Sequence, residues 1–183
     1  MLELLSPAGS PEAVIAAVQN GADAVYLGMG DFNARRGAKN FTNEEFEKAV
    51  TYCRVRGCKV YVTLNTLVND REIGAAVDAA RLASECGADG IIIQDLGLIS
   101  AIRRALPDIP LHASTQMSIH NLAGVQAAAE MGLTRAVLAR ELSLEEIAYI
   151  TKNAPIETEI FVHGALCFCH SGQCYMSSLI GRR

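Results

Sequence analysis

Short apolar segments alternate with amphipathic segments along nearly the whole chain. The clearest apolar segments are Lys59–Leu64 (KVYVTL) and Gly90–Ile93 (GIII), which are rich in β-branched residues and are too short for buried helices. Near-continuous apolar strands are typical of parallel sheets, whose two faces are both covered. Repeated strand–helix alternation therefore predicts an α/β fold in which helical crossovers join parallel strands.

The positions of the seven predicted strands follow from these segments and from the glycine and proline residues between them. We expect strands at 2–5, 24–27, 59–64, 90–93, 110–113, 135–139 and 158–162. We expect helices at 11–20, from 42 to about 57, and at 70–85, 98–106 and 121–131, with a last helix after 143. Thr42 with Glu45 and Ser143 with Glu146 have the spacing of capping boxes.

Two closures of such a sheet are possible, an open doubly wound sheet or a (β/α)8 barrel. The repeated Gly-Ala-Asp entries before the second and fourth strands suggest similar units, which favours a TIM-barrel-like fold. No Gly-x-Gly-x-x-Gly motif follows the first strand, so the sequence lacks a dinucleotide-binding fingerprint. An eighth strand is missing. We therefore expect residues 1–183 to form one incomplete barrel domain that continues in a longer protein.

Composition and charge limit the classes of partner. Half of the 183 residues are apolar, and no stretch approaches the roughly 18 uninterrupted apolar residues of a membrane span. With no basic amino-terminal region either, we expect a cytoplasmic protein without a membrane partner. The net charge of −4 argues against a broadly basic surface, so an RNA would have to meet a local patch.

Polar residues end several predicted strands, and functional groups of parallel barrels gather at the carboxyl ends of strands. The candidate catalytic residues are His112, Glu141 and His163. The candidate substrate-binding residues are Asn65, Gln94, Asp95, Ser114, Gln116 and Arg140. The alternative is that these positions are polar only because loops generally are.

Two of these candidates, His112 and Arg140, each have two possible roles. His112 should point inward while Leu111 faces a helix, either as a ligand-contacting or acid/base group or as a hydrogen-bonded core histidine. Arg140 either pairs with Glu141 or binds a substrate carboxylate through its fork of donors. A small anionic ligand at the barrel mouth fits the second alternative.

Three cysteines lie within eight residues in a Cys-x-Cys-x4-Cys arrangement, at Cys167, Cys169 and Cys174. This spacing differs from the knuckles of structural zinc sites and fits part of an iron–sulfur ligand set better. Redox-active or nucleophilic thiols are a second interpretation, and inert buried thiols are a third.

The segment 159–178, EIFVHGALCFCHSGQCYMSS, resembles the signature E-x-F-x-x-G-[AS]-x-C-x(6)-C-x-x-S of the peptidase U32 (collagenase-like) family. The resemblance extends to residues 2–9, 21–28 and 112–116. It implies that Cys167 and Cys174 are ligands of a [4Fe–4S] cluster, which cysteines beyond residue 183 would complete. The chain alone would then hold no intact cluster. Cys169 departs from the family pattern, and the resemblance assigns it no role.

Several members of that family are iron–sulfur proteins that support oxygen-independent hydroxylation of RNA bases or of ubiquinone precursors, with prephenate implicated as hydroxyl donor. The resemblance, and the segment 173–178 in particular, implies an enzyme that hydroxylates a tRNA or rRNA base. The alternative is a peptidase or collagenase in which His163 activates Cys167, although no third orienting residue is evident. A metal-stabilised RNA-binding domain is a further, non-enzymatic alternative.

Overall fold

The protein folds as a single parallel sheet with helices packed on its outer face. The structure is a computed structural model that describes residues 2–30, 32–34, 40–164, 167 and 169–174. The strands among these residues are β1 (Leu5–Pro7), β2 (Ala24–Gly28), β3 (Lys59–Leu64), β4 (Gly90–Ile93), β5 (Leu111–Ala113), β6 (Arg135–Val137) and β7 (Glu157–Glu159). The helices are α1 (Pro11–Gln19), α2 (Asn43–Arg54), α3 (Ile73–Cys86), α4 (Leu96–Ala105), α5 (Leu122–Glu130) and α6 (Leu144–Asn153).

The sheet order follows the chain from β1 to β7, and every described strand pair is parallel. The sheet is strongly curled. Arg135 in β6 reaches Glu3, just before β1, with 2.6 Å between Nη1 and Oε1. The two edges of the sheet therefore approach each other, and the predicted TIM-barrel-like architecture is confirmed as a curled half-barrel of seven strands within the described part of the chain.

Alternation along the central strands divides the core into an outer and an inner part. Val62 and Leu64 of β3 face the helices, and Ile91 and Ile93 of β4 do the same, so most apolar burial lies between sheet and helices. Tyr61 and Ile92 point to the opposite side and pack together in the hollow of the half-barrel. The residues that line the hollow thus come from strand positions that helices do not cover.

The central strands β3 and β4 have the predicted bounds, whereas the edge of the sheet differs. The prediction of a strand at 158–162 is wrong, because β7 ends at Glu159. Val137, the last paired residue of β6, lies opposite Glu159. The amide of Leu138 still donates to the Glu159 carbonyl, but that of Ala139 donates to Ile119 instead, so β6 offers β7 no partner beyond Glu159. Ile160 to Val162 are accordingly exposed. At the other edge, β1 begins at Leu5 rather than at residue 2, because Leu5 pairs with Ala24 at the start of β2.

Helix ends follow the predicted capping chemistry in most places. The capping boxes of Thr42 with Glu45 and of Ser143 with Glu146 are both present. Helix α3 begins at Ile73 instead of residue 70, because Asn69 and Glu72 form a separate hydrogen-bonded turn before it. No helix in the described ranges combines the length and apolar character needed to cross a membrane.

Candidate functional site

The loops that follow β5 and β6 lie side by side at the carboxyl ends of the strands. Ser114 caps a short 3-10 turn, Thr115–Met117, and Ser118 ends that turn with a left-handed backbone (φ 57°). The chain then runs back toward β6, where the amide of Ala139 donates to the carbonyl of Ile119 over 2.9 Å. This pairing places the segment from Ser118 onward beside the residues that follow β6.

Ser171 anchors the cysteine segment to these two loops. Its backbone amide donates to Oε1 of Glu141 over 2.6 Å, and its carbonyl accepts from the hydroxyl of Ser118. Its own hydroxyl oxygen accepts from both the amide and Nε of Arg140, each over 3.2 Å. Ser171 is fully buried. Because buried polar groups are costly unless paired, this set of bonds fixes where residues 169–174 sit on the barrel.

Gly172 also anchors the cysteine segment, at a position where only glycine fits. It has a positive φ of 77°, in the left-handed region that favours glycine. A Cβ at this position would overlap the carbonyl oxygen of Gln116. The cysteine segment therefore approaches the loop after β5 backbone to backbone, which brings Gln116 into the predicted site.

The three thiols lie close to one another, and that of Cys167 also contacts Arg140. The pKa of Cys167 is lowered by a hydrogen bond from the Cys169 amide and by its contact with the Arg140 guanidinium. The pKa of Cys169 is raised, chiefly by hydrogen bonding with the Cys174 thiol. The contact with Arg140 thus favours the thiolate of Cys167, the form of cysteine that can bind a metal. The three cysteine thiols fit part of an iron–sulfur ligand set, which usually consists of four thiolates.

Other predicted substrate-binding residues follow earlier strands at the same carboxyl-end rim of the sheet. Asn65 accepts a hydrogen bond from the amide of Ala34 over 3.0 Å, and its Nδ2 lies 3.5 Å from the Ser114 hydroxyl. Ser114 itself is buried. Asn65, Ser114 and Gln116 thus share the carboxyl side of the sheet with Arg140, and their binding of substrate stays a prediction.

Gln94 and Asp95 follow β4 on the same side. Asp95 is the N-cap of α4: its Oδ1 accepts from the amide of Leu98 over 2.8 Å, and Oδ2 accepts from the amide of Val68 over 3.3 Å. Both carboxylate oxygens therefore serve the local backbone. A role in substrate binding stays untested for both residues.

His112 does not belong to this rim, so its predicted grouping with the other candidates is wrong. It points inward as expected, but it lies opposite Arg135, the first residue of β6, and its ring packs 4.7 Å from that of Tyr61. It lines an open cavity of about 810 Å³ at the amino ends of the strands. Burial, and then the charge of Arg135, lower the pKa of His112 to about 4.

Arg135 organises this opposite end, and sequence reasoning did not single it out. Its guanidinium binds Glu3, Glu157 and Glu159 over 2.6, 2.7 and 3.4 Å. Partial burial opposes ionisation of Glu3, but hydrogen bonds from Arg135 and Lys59 lower its pKa to about 2. The network is structural, because it joins β1 to β6 and β7 where the half-barrel is open.

His163 is exposed beyond the end of β7. The groups that chiefly shift the pKa of the Cys167 thiol are the Cys169 amide, Arg140 and Cys174, and His163 is not among them. Its predicted role as a base for Cys167 stays untested. Residues 175–178 of the family-like segment lie outside the described residues.

Two further histidines join the site and were not predicted. Nε2 of His120 lies 3.4 Å from Oε2 of Glu141, and His170 approaches both. These residues are far apart in the sequence, and only the pairing of the loops after β5 and β6 brings them together. The site therefore gathers thiols, imidazoles, a carboxylate and a guanidinium at the carboxyl ends of β5 and β6.

Comparison with known proteins decides the family of this chain. The profile of Peptidase family U32 matches residues 9–183. The chain belongs to the peptidase U32 family. This confirms the resemblance of segment 159–178 to the family signature.

Several relatives of this chain carry RNA-related names, and others are named as a protease or a collagenase. The chain is 40% identical over 176 residues to "tRNA hydroxylation protein P1" of Bacillus subtilis, covering 96% of this chain and 42% of that protein. It is also 40% identical over 176 residues to "23S rRNA 5-hydroxycytidine C2501 synthase" of Escherichia coli, covering 96% of this chain and 26% of that protein. The chain thus spans less than half the length of these relatives.

The fold is shared with a solved structure of the family. The U32 peptidase Mk0906 superposes with a TM-score of 0.76 at 18% identity, covering 92% of this chain and 71% of that one. At this identity the likeness establishes the architecture and does not extend to the chemistry of individual residues.

Proposed function

We propose that this chain is the barrel part of a U32 enzyme that hydroxylates a base of tRNA or rRNA. The observation that carries the proposal is the position of Cys167 beside Arg140, with Cys174 near Cys167, at the carboxyl ends of the strands. Catalytic groups of parallel barrels occupy this face. The names of the relatives with 40% identity support RNA as the substrate class.

Cys167 and Cys174 would hold the iron–sulfur cluster as two of the four thiolates that such clusters usually take. When bound, such a cluster supplies one-electron chemistry, which suits a hydroxylation that does not use oxygen. The Arg140 guanidinium favours the thiolate of Cys167 and would offset part of the negative charge of a thiolate-ligated cluster. Ser171 and Gly172 hold the thiol segment in place through the contacts described above.

The hydroxyl donor would be a small carboxylate such as prephenate, bound at the same rim. Arg140 is exposed there and can offer N–H donors in the fork geometry that suits a carboxylate. Asn65, Ser114 and Gln116 provide neutral hydrogen-bonding groups on the neighbouring strands. Glu141, which Ser171 holds in place, is the candidate proton-transfer group beside the donor.

The test uses the full-length protein in a strain from which its gene has been deleted. Modified nucleosides of purified tRNA and rRNA are compared by mass spectrometry after complementation with the wild type, with Cys174→Ala or with Cys86→Ala. Cys86 is a partly buried thiol on α3, away from the site, and is the matched control. We expect a hydroxylated nucleoside that wild type and Cys86→Ala restore and Cys174→Ala does not.

Two outcomes would contradict the proposal. One is an unchanged set of nucleosides in the deletion strain. The other is full restoration by Cys174→Ala, which would separate the thiols from the activity. Feeding the strain with labelled donor precursor, and following the label into the nucleoside, would test the carboxylate donor independently.

A further inference from the structure

The loops after β5 and β6 and the cysteine segment bring two imidazoles and one carboxylate together. One ligand atom from each of His120, Glu141 and His170 lies within 4.8 Å of the others, and Nε2 of His120 is 3.4 Å from Oε2 of Glu141. Ligand atoms that share an ion at about 2.0–2.2 Å stand roughly 3–3.5 Å apart. Small side-chain rotations would therefore bring all three atoms to coordination distance.

The surroundings of His120 and Glu141 orient the atoms that would bind the ion. Nδ1 of His120 lies 2.6 Å from the carbonyl oxygen of Ser118, to which it can only donate, so Nε2 keeps its lone pair in the neutral ring. Oε1 of Glu141 accepts from the Ser171 amide, which leaves Oε2 directed toward His120. Hydrogen bonds of this kind fix ring tautomer and carboxylate orientation in metal sites.

We propose that His120, Glu141 and His170 form a mononuclear site for a divalent transition-metal ion of the Zn²⁺ or Fe²⁺ type. Imidazole and carboxylate ligands suit these ions, and three protein ligands leave coordination positions open for water or a substrate oxygen. The site is chemically distinct from the nearby thiols, because its donors are nitrogen and oxygen. It does not depend on the proposed iron–sulfur cluster or on RNA as substrate.

The site would give Glu141 a defined function. Instead of acting alone as an acid or base, the carboxylate would hold an ion near Ser171, whose hydroxyl also accepts from Arg140. An ion there would polarise a bound oxygen of a carboxylate or hydroxyl ligand. The two histidines would then be site residues rather than surface residues.

The test is a Co²⁺ titration of the full-length protein after chelator treatment, followed by visible absorption. Cobalt bound by nitrogen and oxygen shows only weak d–d bands, whereas thiolate ligation adds strong sulfur-to-cobalt charge transfer. We expect weak d–d bands that persist in the double variant Cys167→Ala/Cys174→Ala. We expect His120→Ala, His170→Ala and Glu141→Gln each to lower the affinity at least about 100-fold.

His163→Ala is the matched control, because His163 is an exposed histidine of the same segment outside the three ligands. It should leave the Co²⁺ affinity unchanged. Circular dichroism of the metal-free variants checks that each one folds. Loss of the weak d–d bands in Cys167→Ala/Cys174→Ala overturns the proposal, and so does saturable Co²⁺ binding that the three ligand variants leave intact. Absence of Co²⁺ binding also overturns it. Because none of these readouts measures RNA modification, the proposed function stands or fails separately.

Discussion

The backbone amide of Ser171 donates to the carboxylate of Glu141 over 2.6 Å, which ties the cysteine segment to the end of β6. The same carboxylate faces His120 through its other oxygen. Although partial burial opposes ionisation, hydrogen bonds from its own amide and from Ser171 lower the pKa of Glu141. The Glu141 side chain thus connects the cysteine segment to His120. The site as described depends on its hydrogen bond with the Ser171 amide.

Gly172→Ala should displace the cysteine segment while the barrel stays folded. The added Cβ meets the Gln116 carbonyl, and the positive φ is strained for alanine. We expect faster hydrogen exchange in residues 169–174 and loss of RNA hydroxylation. Gly74→Ala, on α3 with open space around its Cβ, should change neither. Unaltered exchange in Gly172→Ala would show that the close approach to Gln116 does not hold the segment.

Arg135→Met should destabilise the barrel, because it leaves Glu3, Glu157 and Glu159 close together without their shared cation. Because Arg135 is buried but Glu157 is mostly exposed to water, we expect a loss of roughly 1–3 kcal/mol, below that for a fully buried ion pair. Urea unfolding measures the loss. Arg104→Met is the control: this arginine is exposed on α4 and bonds only the Ser100 side chain among the described hydrogen bonds, so a change within about 0.5 kcal/mol is expected. Equal effects of the two variants would argue against the closure at Arg135.

Stability should fall on acidification between about pH 6.5 and pH 4 through His112. Its folded pKa is about 4, below the value of 6.5 for an unburied histidine, so the unfolded chain binds the proton first in this window. Stability therefore rises with pH here, and the His112 contribution lost at about pH 5 is roughly 2 kcal/mol. In His112→Phe, which keeps a ring beside Tyr61, this part of the pH dependence should vanish. An identical pH dependence in both proteins would contradict the buried, neutral state of His112.

Local chemistry in the sequence predicted the fold and most of its central elements. The bounds of β3 and β4 followed from continuous apolar runs, and the Thr42 and Ser143 caps from side chains that satisfy free amides. Edge strands were less predictable, because the end of β7 depends on how far β6 extends.

The sequence also could not show whether an inward-facing strand residue lies nearer the amino or the carboxyl end of the barrel. The alternation of β5 correctly predicted that His112 points inward, but its depth depends on register with β6, which places it beside Arg135 at the amino end. In the same way, His120 and His170 have no motif spacing. They meet because Ser118 turns the chain back and Ser171 anchors the cysteine segment.

Metal analysis shows most directly whether the thiols at the carboxyl ends of the strands bind an iron–sulfur cluster. Iron and acid-labile sulfide are measured in the full-length protein purified without oxygen, as wild type, Cys174→Ala and Cys86→Ala. We expect stoichiometric iron and sulfide in wild type and Cys86→Ala, and loss of both in Cys174→Ala. Wild-type protein without sulfide, or Cys174→Ala with a full complement of both, would contradict cluster binding by these thiols.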